Sequence, residues 1–429
     1  MCKKLVLILS LLCLAFCSSA FAATAKSISV ALQYDPMTVK WMKQTVAAYE
    51  KVNPGTKVNL IIIGGTQANY YTKKALMLKS SANLDVMLED SLMLKSDADA
   101  KLLAPIDVTN WKPWNNYFPK VKEAAIVNGK VYGIPLSTDS RGLYYNTNIF
   151  KKAGIKMPWQ PKNWNDILIA AKQIKKKIPG VFPFAFNTAS SGEATSMQTA
   201  EMLLYGTGNT LYKNGKWVVT SKGLLNTLKF ISTVYKEHLG VRMGIALNPQ
   251  YGNIVVTTLA PQQKVGIILD GCWLQGLWYR KYPETAKIYK FIPMPTEFGQ
   301  APGHISMSGG WDLSISAKST KKAAAFKFIK FVMTKKNLLN YAILVRNLAT
   351  RKDVADSKEY PPELKQATKF LEFTHYRPSN QNYPMVSSKL QNAVESAAIG
   401  TSPLKVMNTY ANTVERAVGK NNIVREYKK

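Results

Sequence analysis

The stretch that decides the fold covers residues 131–155 and reads VYGIPLSTDSRGLYYNTNIFKKAGI. It contains a Tyr-Gly-Ile-Pro turn, a polar segment with Asp139 and Arg141, a Leu-Tyr-Tyr-Asn segment and the start of an amphipathic helix. A plain core segment would not need a polar loop at this place. Its role depends on the elements that surround it.

The residues before this stretch predict a βαβ unit. Apolar residues alternate over 27–32, which is strand spacing. Apolar residues at helical spacing follow, and an Asn-Pro-Gly sequence at 53–55 ends that helix. Residues 57–63 predict the second strand, so the two strands should be parallel with a right-handed crossover.

The same alternation continues along the chain and predicts an α/β fold. Asn163 is the expected N-cap of one helix and Ser319 of another. The C-terminal third is mainly helical in pattern. The further predicted elements are strands at 84–90 and 264–271 and helices at 70–80, 164–178, 223–238 and 319–336.

The N-terminus has the pattern of a secretory signal peptide. Lys3 and Lys4 precede an apolar run, and small residues lead to an expected cleavage site after Ala22. The run is short for a membrane span, so a membrane anchor is the second interpretation. A lipid anchor at Cys17 is a third, although bulky Phe16 precedes it. The prediction is therefore a periplasmic protein.

Charge and cysteine content limit the classes of function. The chain carries 57 Lys and Arg against 26 Asp and Glu, a formal net charge of +31, of which Lys3 and Lys4 supply two. A basic surface attracts anions, but these lysines are spread along the chain and no stripe interleaves them with aromatic residues, so nucleic acid is not the expected partner. Cys272 is the one cysteine beyond the predicted cleavage site, so no internal disulfide is expected.

The sequence contains none of the enzyme motifs that we sought. P-loop, zinc-protease, Cys-x-x-Cys and nucleophile-elbow patterns are absent, and the three histidines are far apart, so neither a catalytic site nor a metal site nor a cofactor is predicted. Cys272 follows an apolar strand and is expected to be a buried thiol. Glu89 and Asp90 are adjacent on a strand and should face opposite sides, which makes a poor acid–base pair.

Aromatic residues follow several predicted strands. Tyr34, Trp273 and Trp311 stand beside polar residues or glycines at strand ends. In an open α/β sheet, ligands bind beyond the carboxyl ends of the strands. Aromatic faces and polar groups together suit a sugar, which has an apolar face and a rim of hydroxyls. The alternative for each tryptophan is a place in the core.

Several segments in sequence order resemble the extracellular solute-binding protein family 1 of ABC transporters, the group that includes maltose-binding and related proteins. The stretch at 131–155 is the strongest match. Leu84 and Ala349 stand where the family usually has proline, and Asn163 where threonine is common. The other matching segments are YEKVNPGTKVNL (49–60), LDVMLED (84–90), WQPKNWNDIL (159–168), KVGIILDGCW (264–273), SGGWDLSISAKSTKKAAAFKFIKFV (308–332) and RNLATRKDV (346–354).

The resemblance implies a type II periplasmic binding protein-like fold, with two α/β lobes joined by hinge crossings. The chain would leave the first lobe after Pro135 and cross through a polar segment exposed to the cleft. The implied division is a signal peptide at 1–22, a first lobe at 23–136 with about 294–338, and a second lobe at 137–293 with about 339–429.

The resemblance also implies which residues face a ligand in the cleft. Trp273 and Trp311 would stack on sugar faces, Asp90 and Asp139 would accept from hydroxyls, and Arg141 or Arg346 would donate or pair with an acidic group. The implied ligand-facing set is Tyr34, Asp35, Glu89, Asp90, Asp139, Arg141, Trp273, Gly310 and Trp311, with Trp41, Glu193 and Arg346 as further candidates.

The implied function is the substrate-binding component of an ABC importer, a monomer that delivers a carbohydrate to the membrane permease. Three alternatives remain open from the sequence. The first is a binding protein for an acidic sugar or a glycerol 3-phosphate-like polyol. The second is an envelope enzyme that acts on polysaccharide, and the third is an adhesive surface protein that binds anionic lipid or glycan.

Overall fold

The predicted βαβ unit is present in the computed structural model of the chain. Strand Lys26–Gln33 pairs in parallel with strand Thr56–Ile63, and helix Pro36–Val52 connects them. Val86–Asp90 pairs in parallel on the other side of the first strand. The structure describes residues 26–65, 67–80, 83–190 and 192–427, so the predicted signal peptide and Cys17 lie outside the described residues.

A strand from late in the chain completes the sheet of the first lobe. Strand Gly310–Ser316 pairs antiparallel with Val86–Asp90, and its other edge pairs with two short strands. All five residues of Val86–Asp90 are buried, as a central strand requires. The strands of this sheet are Thr56–Ile63, Lys26–Gln33, Val86–Asp90, Gly310–Ser316, Leu103–Ala104 and Ile134–Thr138.

The second lobe has its own four-stranded sheet. Strand Val265–Gly271 lies at its centre, antiparallel to Arg141–Asn146 and parallel to Phe182–Ala185, while Tyr289–Ile292 pairs with the outer side of Arg141–Asn146. Two smaller sheets belong to this lobe, namely Met294–Pro295, His304–Ser308 and Thr374–Tyr376, and Tyr212–Lys213, Lys216–Thr220 and Ile423–Arg425. The short hairpin Ile126–Val127 and Lys130–Val131 lies in the first lobe.

Amphipathic helices cover these sheets. In the first lobe, helix Pro36–Val52 packs against Lys335–Val345 and buries Trp41, Met42 and Tyr49. The other helices of the first lobe are Gln67–Ser80, Leu94–Asp99, Pro119–Ala124, Lys322–Val332 and Lys352–Ala355. The helices of the second lobe are Thr147–Ala153, Trp164–Lys177, Met202–Gly206, Lys222–Lys236, Met243–Ala246, Tyr251–Asn253, Trp273–Lys281, Pro283–Ile288, Pro362–Thr368, Tyr383–Ala398 and Pro403–Val418. The second lobe also has π-helical segments at Thr195–Glu201 and Ile254–Leu259.

The two predicted caps have different outcomes. Asn163 caps helix Trp164–Lys177, because its side chain accepts a hydrogen bond from the backbone N–H of Asp166. The prediction for Ser319 is wrong, since the helix begins later, at Lys322, with Lys321 at the cap position. The Ser319 hydroxyl instead donates to buried Asp85 at 2.6 Å and accepts from the Lys321 N–H.

Within the described residues, the chain crosses between the lobes three times. The first crossing is Asp139–Ser140, between strand Ile134–Thr138 of one sheet and strand Arg141–Asn146 of the other. The second is at Gly309, and the third lies between 355 and 362. The first two crossings are hydrogen-bonded to each other, with Thr138 Oγ1 to Gly309 O at 3.0 Å and Ser308 Oγ to Asp139 O at 2.6 Å.

Strand pairing therefore puts the lobe boundaries at places other than the predicted ones. Strand His304–Ser308 pairs with Thr374–Tyr376 in the second lobe, so the return to the first lobe occurs at Gly309 and not near 294. Helix Lys335–Val345 packs on helix Pro36–Val52, so the first lobe extends beyond 338. Periodicity along the chain carries no information on these pairings, because they join segments far apart in sequence.

The first crossing is polar, as predicted, but it is less exposed than predicted, because Ser140 is buried and Asp139 is half-buried. Ser137, Thr138 and Ser140 are each at most 3 % exposed. Their burial is tolerated because the hydroxyls find partners, and Ser140 Oγ for example donates to Ala367 O at 3.0 Å.

Gly310 provides a test of the geometry of the second crossing. Its φ is +150°, and an added Cβ would lie 2.2 Å from the carbonyl oxygen of Ser137. We predict that Gly310→Ala lowers the free energy of unfolding by roughly 1–3 kcal/mol, as measured by urea denaturation. Gly244→Ala is the control, because no atom lies within 4 Å of the added Cβ. Equal stability of the two variants would contradict this account of the crossing.

Candidate functional site

The cleft between the lobes receives residues from the ends of strands in both sheets. In the first lobe, Asp90 ends its strand and is paired with Trp311 on the neighbouring strand. In the second lobe, Gly271 ends the central strand opposite Arg141, and Trp273 begins the next helix. The structure thus brings together, at one cleft, several of the residues predicted from strand ends.

The carboxylate of Asp90 is fully engaged. Its Oδ1 accepts hydrogen bonds from the Leu92 N–H at 2.8 Å and from Arg377 Nη2 at 3.1 Å. Its Oδ2 accepts from Gln67 Nε2 at 2.9 Å and from the Tyr71 hydroxyl at 2.6 Å. Because Arg377 belongs to the second lobe, one of these bonds joins the two lobes directly.

Arg377 lies between two carboxylates. Its side chain is 9 % exposed, and besides Asp90 it pairs with Glu193, at 3.7 Å between Nη1 and Oε1. Burial alone would lower the pKa of Arg377, but the charges of Asp90 and Glu193 raise it above its ordinary value. The guanidinium is therefore a permanent charge in the cleft that protein groups already balance.

Glu193 and Glu201 share the hydroxyl of Tyr383. Both carboxyl groups lie within hydrogen-bond distance of Tyr383 Oη, and Ser387 Oγ donates to Glu193 at 2.6 Å. A hydroxyl has a single proton to donate, so one of the two carboxyl groups must itself carry a proton. Burial raises the pKa of Glu201 to about 8, with the charge of Glu193 adding to it, so Glu201 is the protonated partner at neutral pH.

Asp139 and Arg141 pair with each other at the base of the cleft. Asp139 Oδ1 accepts from Arg141 Nη1 and from the Gly309 N–H at 2.8 Å, and Arg141 Nη1 also donates to Met307 O at 3.0 Å. The Arg141 guanidinium lies 4.9 Å from the centre of the Trp273 ring. These contacts fix the orientation of the Trp273 indole at the cleft.

The three aromatic residues predicted for the cleft differ in exposure. Tyr34 is 55 % exposed, whereas Trp273 and Trp311 are half-buried. The Trp311 ring packs edge-to-face on Tyr70, with 5.9 Å between ring centres. Each indole therefore has one part fixed by the protein and another part accessible.

Four of the predicted ligand-facing residues are instead engaged in contacts with other protein groups. Asp35 caps helix Pro36–Val52 by accepting from the Thr38 N–H at 2.7 Å. Trp41 is 1 % exposed inside the first lobe, where its Nε1 donates to Asn337 O at 2.9 Å. Arg346 pairs with Glu363 of the second lobe at 2.7 Å.

The fourth, Glu89, points away from the cleft because adjacent strand residues face opposite sides. It is completely buried and pairs with Lys74, whose ammonium also lies 2.8 Å from Asp97. Burial raises the pKa of Glu89 to about 8 despite Lys74. Asp312, opposite Glu89 on the neighbouring strand, is also buried and its pKa is raised by burial. This cluster belongs to the interior of the first lobe.

The residues that sequence analysis weighed for catalysis have other environments. Burial raises the pKa of the Cys272 thiol to about 12, so it is not a thiolate at neutral pH. His375 stacks on Tyr205 with 4.8 Å between ring centres.

Across the residues that the structure describes, no group of three or more His, Cys, Asp or Glu is arranged to hold a metal ion. In the same part of the chain no helix is long and apolar enough to cross a membrane.

Comparison with known proteins identifies the family. The family model of bacterial extracellular solute-binding proteins matches residues 35–338. The chain belongs to this family. The match covers the first two crossings and most of the cleft, so the family resemblance inferred from the sequence is confirmed.

Relatives and solved structures agree with this assignment. This solute-binding protein is 24 % identical over 402 residues to a Brucella abortus protein named as a binding protein, covering 92 % of this chain and 93 % of that one. It is 27 % identical over 263 residues, 58 % of each chain, to the multiple sugar-binding protein of Streptococcus mutans.

Among solved structures, a Thermotoga lettingae ABC transporter solute-binding protein bound with α-D-tagatose has a TM-score of 0.78 and 22 % identity, covering 92 % of this chain and 100 % of that one. Maltose-bound T. maritima MalE3 has a TM-score of 0.77 and 20 % identity, with the same coverage of both chains. These likenesses confirm the predicted two-lobed periplasmic binding protein fold.

Sequence analysis of this solute-binding protein missed Arg377, Tyr71 and Tyr383. Arg377 directly follows strand Thr374–Tyr376, so the same strand-end argument that selected Trp273 could have found it. Tyr71 and Tyr383 lie on helices, and their partners are 19 and 190 residues away in sequence. No local pattern marks such contacts.

The shared proton of Glu201 makes the stability of this solute-binding protein depend on pH. The native state keeps this proton up to about pH 8, whereas the unfolded chain releases it near the ordinary glutamate value of 4.5. Its stabilising effect is thus complete below pH 4.5 and is lost progressively as the pH rises to about 8. We predict that Glu201→Gln removes this loss, so that its stability relative to wild type increases by up to about 1.4 kcal/mol per pH unit in this window.

The measurement is urea unfolding of both proteins between pH 4 and 9. Glu415→Gln is the control, because Glu415 is a surface residue paired with Arg425. Its stability should stay parallel to that of wild type. If the stability of Glu201→Gln also stays parallel to that of wild type across this pH range, Glu201 does not retain a proton in the native state.

Proposed function

We propose that this protein binds a carbohydrate between its two lobes and delivers it to the permease of an ABC importer. The observation that carries the proposal is the meeting of half-buried indoles and polar groups from both lobes at the strand ends. Membership of the solute-binding family and the sugar-bound neighbours support it. Family membership also supports an exported, periplasmic location and a permease as partner.

In the proposed site, the indoles and the hydrogen-bonding groups have separate roles. Trp273 and Trp311 offer flat apolar faces to the C–H surfaces of a sugar ring. Asp139 takes its protein hydrogen bonds at Oδ1, so Oδ2 accepts from a sugar hydroxyl, while the Arg377 guanidinium donates to a sugar oxygen. Asp90 has its acceptor positions filled, so its role is to hold Arg377 and Tyr71 in place.

Ligand binding would then favour the closed arrangement of the lobes. A ligand held by Trp311 of the first lobe and Trp273 of the second satisfies both sets of contacts only when the cleft is closed. A complete switch from open to closed needs a preference of about 5.5 kcal/mol. The permease would read the closed state, and no bond of the ligand is made or broken.

The proposed stacking role of Trp273 can be tested by substitution. We expect Trp273→Leu to weaken carbohydrate binding about tenfold, because an aromatic contact contributes on the order of 1 kcal/mol. Affinity would be measured by calorimetry with maltose, D-tagatose and whatever small molecule mass spectrometry finds released from the purified protein. Trp111→Leu is the control, since Trp111 packs on Phe326 within the first lobe. Equal affinities of both variants and wild type would contradict the proposed site.

A further inference from the structure

We propose that the cleft selects uncharged carbohydrates and that Arg377, held between Asp90 and Glu193, is the residue that determines this specificity. The inference rests on the proposed function and narrows its substrate class. It excludes as ligands the carboxylated sugars and phosphorylated polyols that the strong basic charge of the chain would otherwise suggest.

The first step is the charge of Arg377 itself. An arginine that receives an anionic ligand needs N–H groups directed at the ligand and a positive charge that no protein carboxylate has already balanced. Arg377 is within 3.1 Å of Asp90 and 3.7 Å of Glu193, so two carboxylates flank one guanidinium. Its free N–H groups remain able to donate to a neutral hydroxyl oxygen.

The second step is the charge of the whole cleft. Arg141 is paired with Asp139 in the same way, and among the described residues no lysine pairs with Asp90, Asp139 or Glu193. Burial raises the pKa of Asp270, beside Arg141, to about 6, so this carboxyl is mostly ionised at pH 7. Around the cleft, the carboxylates therefore outnumber the guanidinium groups by four to two. The carboxylates are Asp90, Glu193, Asp139 and Asp270, and the guanidinium groups are those of Arg141 and Arg377.

Two lysines close to the cleft are themselves paired with carboxylates. Lys74 is buried behind Asp90 and is balanced by Glu89 and Asp97. Lys120, which lines the same groove as Arg377, pairs with Glu123 at 3.0 Å. The cleft is acidic although the chain as a whole has a formal charge of +31.

The basic charge lies on other faces of the molecule. One example is a groove of ≈ 870 Å³ at the end of the second lobe remote from the cleft, where Lys175, Lys236 and Arg242 are in the lining. This groove lies at the start of strand Phe182–Ala185 and at the C-terminal ends of helices, whose dipoles attract cations. At physiological salt the field of exposed charges is screened over about 8 Å, so this charge does not reach a ligand in the cleft.

The consequence for a ligand follows from desolvation. A carboxylate or phosphate that enters the closed cleft loses water and faces more carboxylates than guanidinium groups, which is strongly unfavourable. A hydroxyl at the same position loses little, because it donates to Asp139 and accepts from Arg377. The selection is therefore by exclusion of anions rather than by an added attraction for neutral sugars.

The experiment compares matched ligand pairs by calorimetry in 0.15 M salt. The probes are glucose with glucuronate, galactose with galacturonate, and glycerol with glycerol 3-phosphate, together with maltose, D-tagatose and any small molecule released from the purified protein. For wild type we expect carbohydrate binding with at least a tenfold preference for the uncharged member of a pair. Binding of the anionic member with equal or higher affinity would overturn the inference and leave the proposed function intact.

The role of Arg377 is tested by neutralising the two carboxylates that balance its charge. In the double variant Asp90→Asn with Glu193→Gln, we expect the ratio of anionic to uncharged affinity to rise at least tenfold, with the gain weakened by added salt. The control is Asp99→Asn with Glu415→Gln, which removes the same charge from two surface pairs and should leave the ratio unchanged.

Each result has a distinct meaning. An unchanged ratio in the cleft variant, or an equal rise in the surface control, would overturn the assignment to Arg377. The single variant Glu193→Gln serves the same purpose if the double variant does not fold. If wild type binds no carbohydrate from this set and releases none, the proposed function itself fails.

Discussion

The contact between Asp90 and Arg377 is the interaction on which the functional cleft depends. Asp90 ends a central strand of the first lobe, and Arg377 follows an edge strand of the second, so their ion pair joins the two lobes at the proposed ligand-binding face. Each partner is buried, and each is supported by further groups of its own lobe. Removal of one partner would leave the other as an uncompensated buried charge, which is why such pairs impose a specific geometry.

The hinge also contains buried polar groups, but these are neutral. Three chain crossings connect the lobes, and the first two bury hydroxyls and backbone groups that satisfy one another. Gly309 and Gly310 lie where the second crossing approaches the first most closely, since a Cβ on Gly310 would meet the Ser137 carbonyl. The hinge therefore consists of short, largely buried segments, and movement of the lobes must change a small number of backbone torsions.

Charge is distributed to suit a solute-binding protein with a basic exterior. The carboxylates of the chain are few, yet several of them lie at the cleft or just behind it, among them Asp90, Glu193, Asp139 and Glu201. Burial keeps a proton on Glu201, which reduces repulsion beside Glu193. Exposed lysines attract anions to the surface at large, whereas in our proposal the local field in the cleft decides which ligand can enter.

The sequence by itself determined the α/β alternation, the first βαβ unit and the Asn163 cap, because these follow from periodicity and from local backbone preferences. It also indicated the family, through the resemblance of several segments in sequence order. It also predicted that Trp273, Trp311 and Asp90 lie at strand ends. Tertiary structure alone decided that Glu89 turns inward to Lys74, that the chain returns to the first lobe at Gly309, and that Tyr383 joins two glutamates. These outcomes depend on contacts between segments up to about 290 residues apart, such as Asp90 with Arg377, and no local pattern encodes such contacts.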